Sequence, residues 1–145
     1  MTVKKFLELS TCIIQLTTDI DYQVLRPRVL CRDGYTVSIQ AGRGLYCEPY
    51  ANLKDGDYYA IELGYPSKAD ELILKYAECQ ESPTGSVYGH VPIKIVEELC
   101  KKHGGIVGVD ISNMILSDAR PVTLAMLDKL NQEFRKNCNE YNDED

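Results

Sequence analysis

Gly42-Arg43-Gly44 is the tripeptide of this chain best suited to meet a ligand. Two glycines let the backbone approach a bound group and present its amides, and the arginine fork matches a phosphate or a carboxylate. Gln40 precedes it, and Tyr46, Cys47, Glu48 and Tyr50 follow, so an amide, two phenols, a thiol and an acid share the stretch Thr36–Tyr50. The tripeptide is neither the dinucleotide fingerprint nor the phosphate loop, which carries a terminal lysine and a hydroxyl residue. Its plainer reading is a glycine-rich turn with an exposed arginine.

Cys47 beside Glu48 suggests a nucleophile, but a cysteine enzyme needs a base to form the thiolate, and the chain has 2 histidines, His90 and His103. His90 lies in the extended segment Val87–Val91 and is able to fold near Cys47. His103 shares a helix face with Leu99 and Cys100, where packing or contact with the last helix carbonyls is expected. Cys100 and His103 form half of a zinc pattern without a matching pair. These patterns lead us to expect neither catalysis, nor a metal, nor a cofactor. The 10 tyrosines, against 2 phenylalanines and no tryptophan, point elsewhere. Tyr46, Tyr50, Tyr58, Tyr59, Tyr65 and Tyr88 gather around the central loop, either as a partly wet binding surface or as half-buried sheet residues. The candidate contact set is Gln40, Gly42, Arg43, Gly44, Tyr46, Glu48, Tyr50, Tyr88 and His90.

These residues need elements to hold them. Tyr35, Val37, Ile39 and Ala41 alternate with Thr36, Ser38 and Gln40, the period of a strand with one buried face. Tyr59, Ile61 and Leu63 alternate with Tyr58, Ala60 and Glu62, and this second strand pairs antiparallel with the first across a long loop, 42–57. Asp55-Gly56 supplies its turn chemistry. Thr2 caps a helix over Val3–Leu9 that buries Phe6 and Leu9. Cys12–Thr17 and Tyr22–Cys31 read as strands between turns at Asp19, Asp21 and Asp33-Gly34. Pro27 places the second at a sheet edge or a bulge, and Arg26, Arg28 and Arg32 share one face, as a solvated edge or an acidic-partner contact.

Ser67, followed by Asp70, caps a helix with Ala69, Leu72, Ile73 and Tyr76 on its apolar stripe, and Glu71 pairs with Lys75 outside. Cys79–Gly85 is a loop. Pro92 opens a helix whose Ile95, Val96, Leu99, Cys100 and His103 share a face, with Glu97–Lys101 and Glu98–Lys102 pairs and a stop at Gly104-Gly105. Ile106–Ile111 is a strand in which Gly108 allows close backbone approach. From Pro121, Met126, Leu127, Leu130, Phe134 and Cys138 mark a C-terminal amphipathic helix. Strands and helices without strict βαβ alternation define a single compact α+β domain over 1–139, mainly antiparallel sheet flanked by helices. The remaining 140–145 read as an acidic tail carrying Glu140, Asp143, Glu144 and Asp145.

The 145 residues, 44% of them apolar, fit one core. Sixteen Lys and Arg against 22 Asp and Glu give a net charge of −6, which favours basic partners and disfavours nucleic acid or anionic membrane as a direct ligand. Six cysteines without a CxxC pair, and a start lacking a secretion signal, imply reduced thiols in a cytoplasm. No apolar run approaches the ~18 to 20 residues of a membrane span. A homo-oligomer is compatible with everything above.

The ordered segments Ser38-Ile39-Gln40-Ala41, Tyr46-Cys47-Glu48-Pro49, Glu62-Leu63-Gly64-Tyr65-Pro66-Ser67, Val87-Tyr88-Gly89-His90-Val91-Pro92 and His103-Gly104-Gly105-Ile106 resemble a family of small phage and prophage proteins. The likeness spans roughly residues 33 to 107, with His90 where the family has a tyrosine. It implies a setting in a host bacterial cell and no catalytic residues. The expectation is a non-enzymatic binding protein acting in counter-defence, inhibiting a host defence protein in the manner of anti-CRISPR proteins. A sponge for a bacterial immune signalling nucleotide, with Arg43 on phosphate and a tyrosine on the base, is the alternative. A phage assembly or regulatory protein is the third reading.

Overall fold

The computed structural model describes residues 1–10, 13–17, 20–23, 25–112 and 121–142. They form α1 (Val3–Leu9), β1 (Ile13–Thr17), β2 (Ile20–Gln23), β3 (Arg28–Cys31), β4 (Thr36–Gln40), β5 (Ala60–Gly64), β6 (Val87–Pro92), α2 (Ile93–Lys102), β7 (Ile106–Asp110) and α3 (Pro121–Asn142). β1 and β2 make a hairpin, and an antiparallel sheet runs β6-β5-β4-β3-β7. The expected α+β domain with a C-terminal helix is what the chain forms.

The two alternating strands pair as β4 and β5, with Ile39 opposite Leu63 and Gln40 opposite Glu62. Val29, Val37, Ile39, Ile61, Leu63, Tyr88, Val91 and Ile106 turn inward from the five-stranded sheet. Helices meet them with Val3, Phe6 and Leu7 from α1, Val96, Leu99 and Cys100 from α2, and Met126, Leu127, Leu130 and Phe134 from α3. Fully burying each such side chain contributes roughly 1.5–3 kcal/mol. In α1 it is Leu7 rather than Leu9 that joins Phe6 in the core, Leu9 being half-buried. Thr2 caps α1 by accepting from Lys5 N.

Several expectations give way to tertiary demands. The segment Tyr22–Cys31 is not one strand: β2 ends at Gln23 and β3 begins at Arg28, with Pro27 just ahead of it. There its missing N–H forfeits no ladder bond, so β3 sits inside the sheet between β4 and β7. Arg26, Arg28 and Arg32 do not share a solvated edge. Arg26 is buried, its Nε donating to Ser10 Oγ and one terminal nitrogen to Ala41 O. Arg28 donates to Thr36 Oγ1 and Tyr65 O, and Arg32 is exposed.

No α-helix follows Ser67. The segment runs through turns to a 3-10 turn at Leu74–Tyr76. Ser67 is committed to β4, its N–H donating to Thr36 O and its Oγ accepting from Thr36 N. Around β5 the alternation does not hold over Tyr58–Ala60: Tyr58 and Ala60 are buried and Tyr59 is exposed. Glu97 reaches not along α2 to Lys101 but across to α1, accepting from Val3 N at 2.7 Å and Lys4 N at 3.3 Å. Lys102 pairs with Asp70 rather than Glu98. A Cβ at Gly108 would meet Leu30 Cδ2 at an ordinary 3.8 Å, so close approach does not require that glycine. Glu140, where the tail was expected to begin, lies within α3; Asp143, Glu144 and Asp145, like Cys12 and Asp19, lie outside the described residues.

Candidate functional site

The loop after β4 folds on its own side chains. Gly42 N donates to Cys47 Sγ and the Cys47 thiol donates back to Gly42 O, each at 3.2 Å. Burial pushes the Cys47 pKa up, and hydrogen bonds from the backbone only partly offset this, so the sulfur is a thiol that braces the turn rather than a nucleophile. Arg43 N donates to Asn52 Oδ1 at 2.8 Å and Gly44 N to the Tyr50 hydroxyl at 2.9 Å. The three consecutive amides that a phosphate would use are therefore all engaged. The Arg43 side chain is exposed.

Beyond the turn, Glu48 bridges to Ala60 at the start of β5: Glu48 N donates to Ala60 O, and Tyr59 N donates to Glu48 O, both at 2.9 Å. This bridge lays Glu48 beside Tyr59. On the other side His90 N donates to Tyr46 O at 3.0 Å, and the Tyr46 and His90 rings stand 5.9 Å apart, tilted at 47°. His90 Nδ1 is 3.4 Å from Glu48 Oε1. His90 has φ +52°, a left-handed conformation uncommon outside glycine, at the irregular register of β5 and β6. A Cβ on Gly89 would meet Tyr46 Cβ at 3.3 Å, so the glycine lets the Tyr46 ring lie close over β6. Tyr46 N in turn donates to Glu62 Oε1 at 3.2 Å.

The fold thus gathers Tyr46, Glu48 and His90, with Tyr50 and Arg43 along the same loop, and adds Tyr59, one of the tyrosines grouped around the central loop but outside the candidate contact set. Tyr46, Tyr50 and Tyr59 are 52%, 63% and 60% exposed. Two residues of the candidate set are framework instead. Gln40 is buried and fully used: its Oε1 accepts from Arg26 N, and its Nε2 donates to Arg26 O and Ser38 Oγ. Tyr88 lies in the core with its hydroxyl donating to Pro83 O at 2.6 Å. Tyr65, also exposed, stands at the far end of β5.

A second cluster was not anticipated as a unit. His103, at the end of α2, places Nδ1 2.6 Å from Asp33 Oδ2 and Nε2 2.9 Å from Asp70 Oδ2. Ionised carboxylates only accept, so both ring nitrogens donate and the ring is an imidazolium. Burial acts to lower the His103 pKa, but the hydrogen bonds and charges of Asp33 and Asp70 outweigh it and raise it. Asp33 is held low by the Tyr35 amide and then by His103. For Asp70, burial opposes ionisation, yet bonds from Leu72 N, His103 and Lys102 carry its pKa below the usual range. The Tyr35 ring stacks on His103 with centroids 3.8 Å apart and planes 5° from parallel. With both nitrogens committed, His103 is a clamp joining the β3–β4 turn, the post-β5 segment and α2; it is not a free base. The clues in the sequence were a helix stop at His103-Gly104-Gly105, an Asp33-Gly34 turn and an aspartate after Ser67, but nothing local linked them.

Among the described residues, no three or more His, Cys, Asp or Glu are placed to hold a metal, and no helix is long and apolar enough to cross a membrane. Fold and surface define a small α+β domain that displays tyrosines, a histidine and an acid around the loop entering β5. No family model, curated protein or solved structure matches the chain.

Proposed function

We propose that this protein works by stoichiometric binding to another protein, through the surface of Tyr46, Tyr50, Tyr59, Glu48 and His90. The observation that carries this reading is three tyrosines, each more than half exposed, on a loop braced from within by the hydrogen bonds of Cys47, Asn52 and Tyr50. Large, stiff aromatic rings on a pre-organised backbone lose little entropy on docking, and tyrosine is enriched among residues that dominate binding energy. The net charge of −6 favours a basic partner surface. In its most specific form, drawn from the phage resemblance, the partner is a host defence protein whose nucleic-acid groove the surface occupies. Nucleotide sequestration is supported less well, because a phosphate would have to displace Asn52 and Tyr50 from the amides of Arg43 and Gly44.

The test is affinity capture from bacterial host lysate, followed by titration of the recovered protein. Tyr46→Ala with Tyr59→Ala should weaken binding at least about 100-fold while leaving the melting temperature near the parent's. Retention of full affinity by the double variant would remove this surface as the site. Release of a nucleotide from protein denatured after exposure to cell extract would favour the sponge instead.

A further inference from the structure

β7 is an edge of the five-stranded sheet, with β3 on its inner side and, among the described residues, no backbone partner on its outer side. The opposite edge is not open in this way. Along β6, Val87 O accepts from Glu78 N at 2.9 Å, His90 N donates to Tyr46 O at 3.0 Å, and Tyr88 bridges to Ala77. The direction of the β7 backbone groups follows from β3. Cys31 N donates to Tyr35 O on the β4 side and Arg32 N to Gly105 O on the β7 side. Alternation therefore turns Leu30 and Arg28 toward β7, where they meet Gly108 and Asp110. Val109, between those two, points its N–H and C=O away from the sheet. Natural edges are blunted by lysine, proline or a bulge. Here the register shift is confined to the Ile106–Val107 end, and Gly108 to Asp110 run regularly with neither lysine nor proline.

We propose that β7 is a self-association edge, at which a second copy of this chain adds its own β7 antiparallel and joins two five-stranded sheets into one of ten. The two-fold axis passes between the paired Val109 residues, each donating its N–H to the other's carbonyl. The register that follows is self-complementary. Val107 stands opposite Ile111 of the second copy, and Gly108 stands opposite its Asp110. Ile111 is 37% exposed in the single chain and gains apolar cover there. Asp110, the one charge of the strand, faces a glycine, lies across from Arg28 on β3 and accepts from Ser112 N at 2.9 Å. A chain of net charge −6 thus brings its copies together at a locally balanced edge.

Gly108 is the residue this arrangement explains. Nothing within one chain requires a glycine there: a Cβ would meet Leu30 Cδ2 at an ordinary 3.8 Å, and its φ is not left-handed. A glycine inside a strand weakens it and often marks a place where another backbone approaches closely. In the joined sheet its missing side chain leaves room for the Asp110 carboxylate of the second copy. The chain's own strand supplies every one of these matches by symmetry, which is why a second copy rather than a foreign strand is the occupant. The tyrosine surface, where Tyr46 meets His90 of β6, lies at the opposite edge, so the proposal is independent of it.

Sedimentation equilibrium of the full-length protein from about 1 to 500 μM should show a reversible monomer–dimer equilibrium, as expected of a small interface. Amide exchange by NMR then locates the contact. At the high concentration the Val109 N–H should exchange at least about tenfold more slowly than at the low one, whereas Gly108, turned toward β3, stays protected at both. Ile111→Lys, which sets a charge opposite Val107 of the second copy, should weaken the dimer at least about tenfold. Val109→Pro removes an N–H that no strand of the same chain uses, and should abolish the dimer while circular dichroism shows the fold retained. A monomer throughout the range, Val109 exchange indifferent to concentration, or a dimer undiminished by Ile111→Lys would overturn the proposal.

Discussion

Asp70→Ala is expected to lower stability by about 3 kcal/mol, the range for breaking a buried charge pair from one side. For a chain of this size that is a fall of roughly 10 °C in melting temperature. The Asp70 carboxylate has a 3% exposed side chain and serves three donors: Leu72 N at 3.0 Å, Lys102 Nζ at 3.0 Å and His103 Nε2 at 2.9 Å. Removing it leaves a partly buried imidazolium facing a cavity. Asp70→Asn, which still accepts from some of these donors, should lose less. The pH dependence carries the signature of the clamp. His103 has a folded pKa raised above its ordinary 6.5, so its contribution is complete below that value and is lost as pH rises through the folded value. Asp33 and Asp70 are lowered from 3.8, so their contribution is complete above that value and is lost as pH falls through their folded values. Stability by urea denaturation should therefore be flat between about pH 4 and 6.5 and decline on both sides. In Asp70→Ala the alkaline decline should flatten; an unchanged alkaline slope would mean that His103 is not held by these carboxylates.

Local pattern made much of the fold legible, because periodicity and caps are properties of short segments. β4 was readable because Val37 and Ile39 really do face the core while Thr36 and Ser38 stay half-exposed. α2 was readable at both ends because Pro92 starts it and Gly104 and Gly105, with φ near +90°, stop it. The failures have a common cause in long-range partners. The helix expected after Ser67 gives way because Ser67 is hydrogen-bonded to Thr36 and Asp70 to α2, commitments that helical geometry would break. Arg26 was read as wet because a buried arginine depends on acceptors distant in sequence, here Ala41 O and Ser10 Oγ. The candidate surface was half legible for the same reason. Tyr46, Glu48 and His90 come together through the long-range bond from His90 N to Tyr46 O, which no local pattern dictated, whereas Gln40 and Tyr88 sit in interior positions that residue type does not distinguish from surface ones. The burial of Tyr58 and exposure of Tyr59 follow from the Glu48–Ala60 bridge, which sets how the chain enters β5. The His103 clamp had no local signature, since its three members come from separate turns.

Gly56→Ala should be the most damaging small substitution on the loop that carries the binding surface. Gly56 is buried with φ +68°, and a Cβ there would stand 2.7 Å from Glu8 N and 2.9 Å from Lys4 O, both backbone atoms of α1. Backbone atoms in a helix have no rotamer by which to retreat, so either α1 or the loop must move. Left-handed strain of about 1–2 kcal/mol and overpacking of about 1–3 kcal/mol together predict a loss near 3 kcal/mol. Gly34→Ala separates the two causes, because Gly34 has φ +96° but open space around its missing Cβ, leaving only the strain. The damage at Gly56 should also reach the surface. Gly56 O accepts from Tyr58 N, and the Tyr58 hydroxyl donates to Ala51 O at 2.7 Å while accepting from Leu53 N at 2.8 Å, so the turn and the segment behind Tyr50 move as one brace. Hydrogen exchange in α1 and around residues 50–58 should accelerate in Gly56→Ala and not in Gly34→Ala, and partner affinity should fall in the first alone. Equal affinity in both variants, with Gly56→Ala destabilised as expected, would show that the tyrosines keep their placement without this brace.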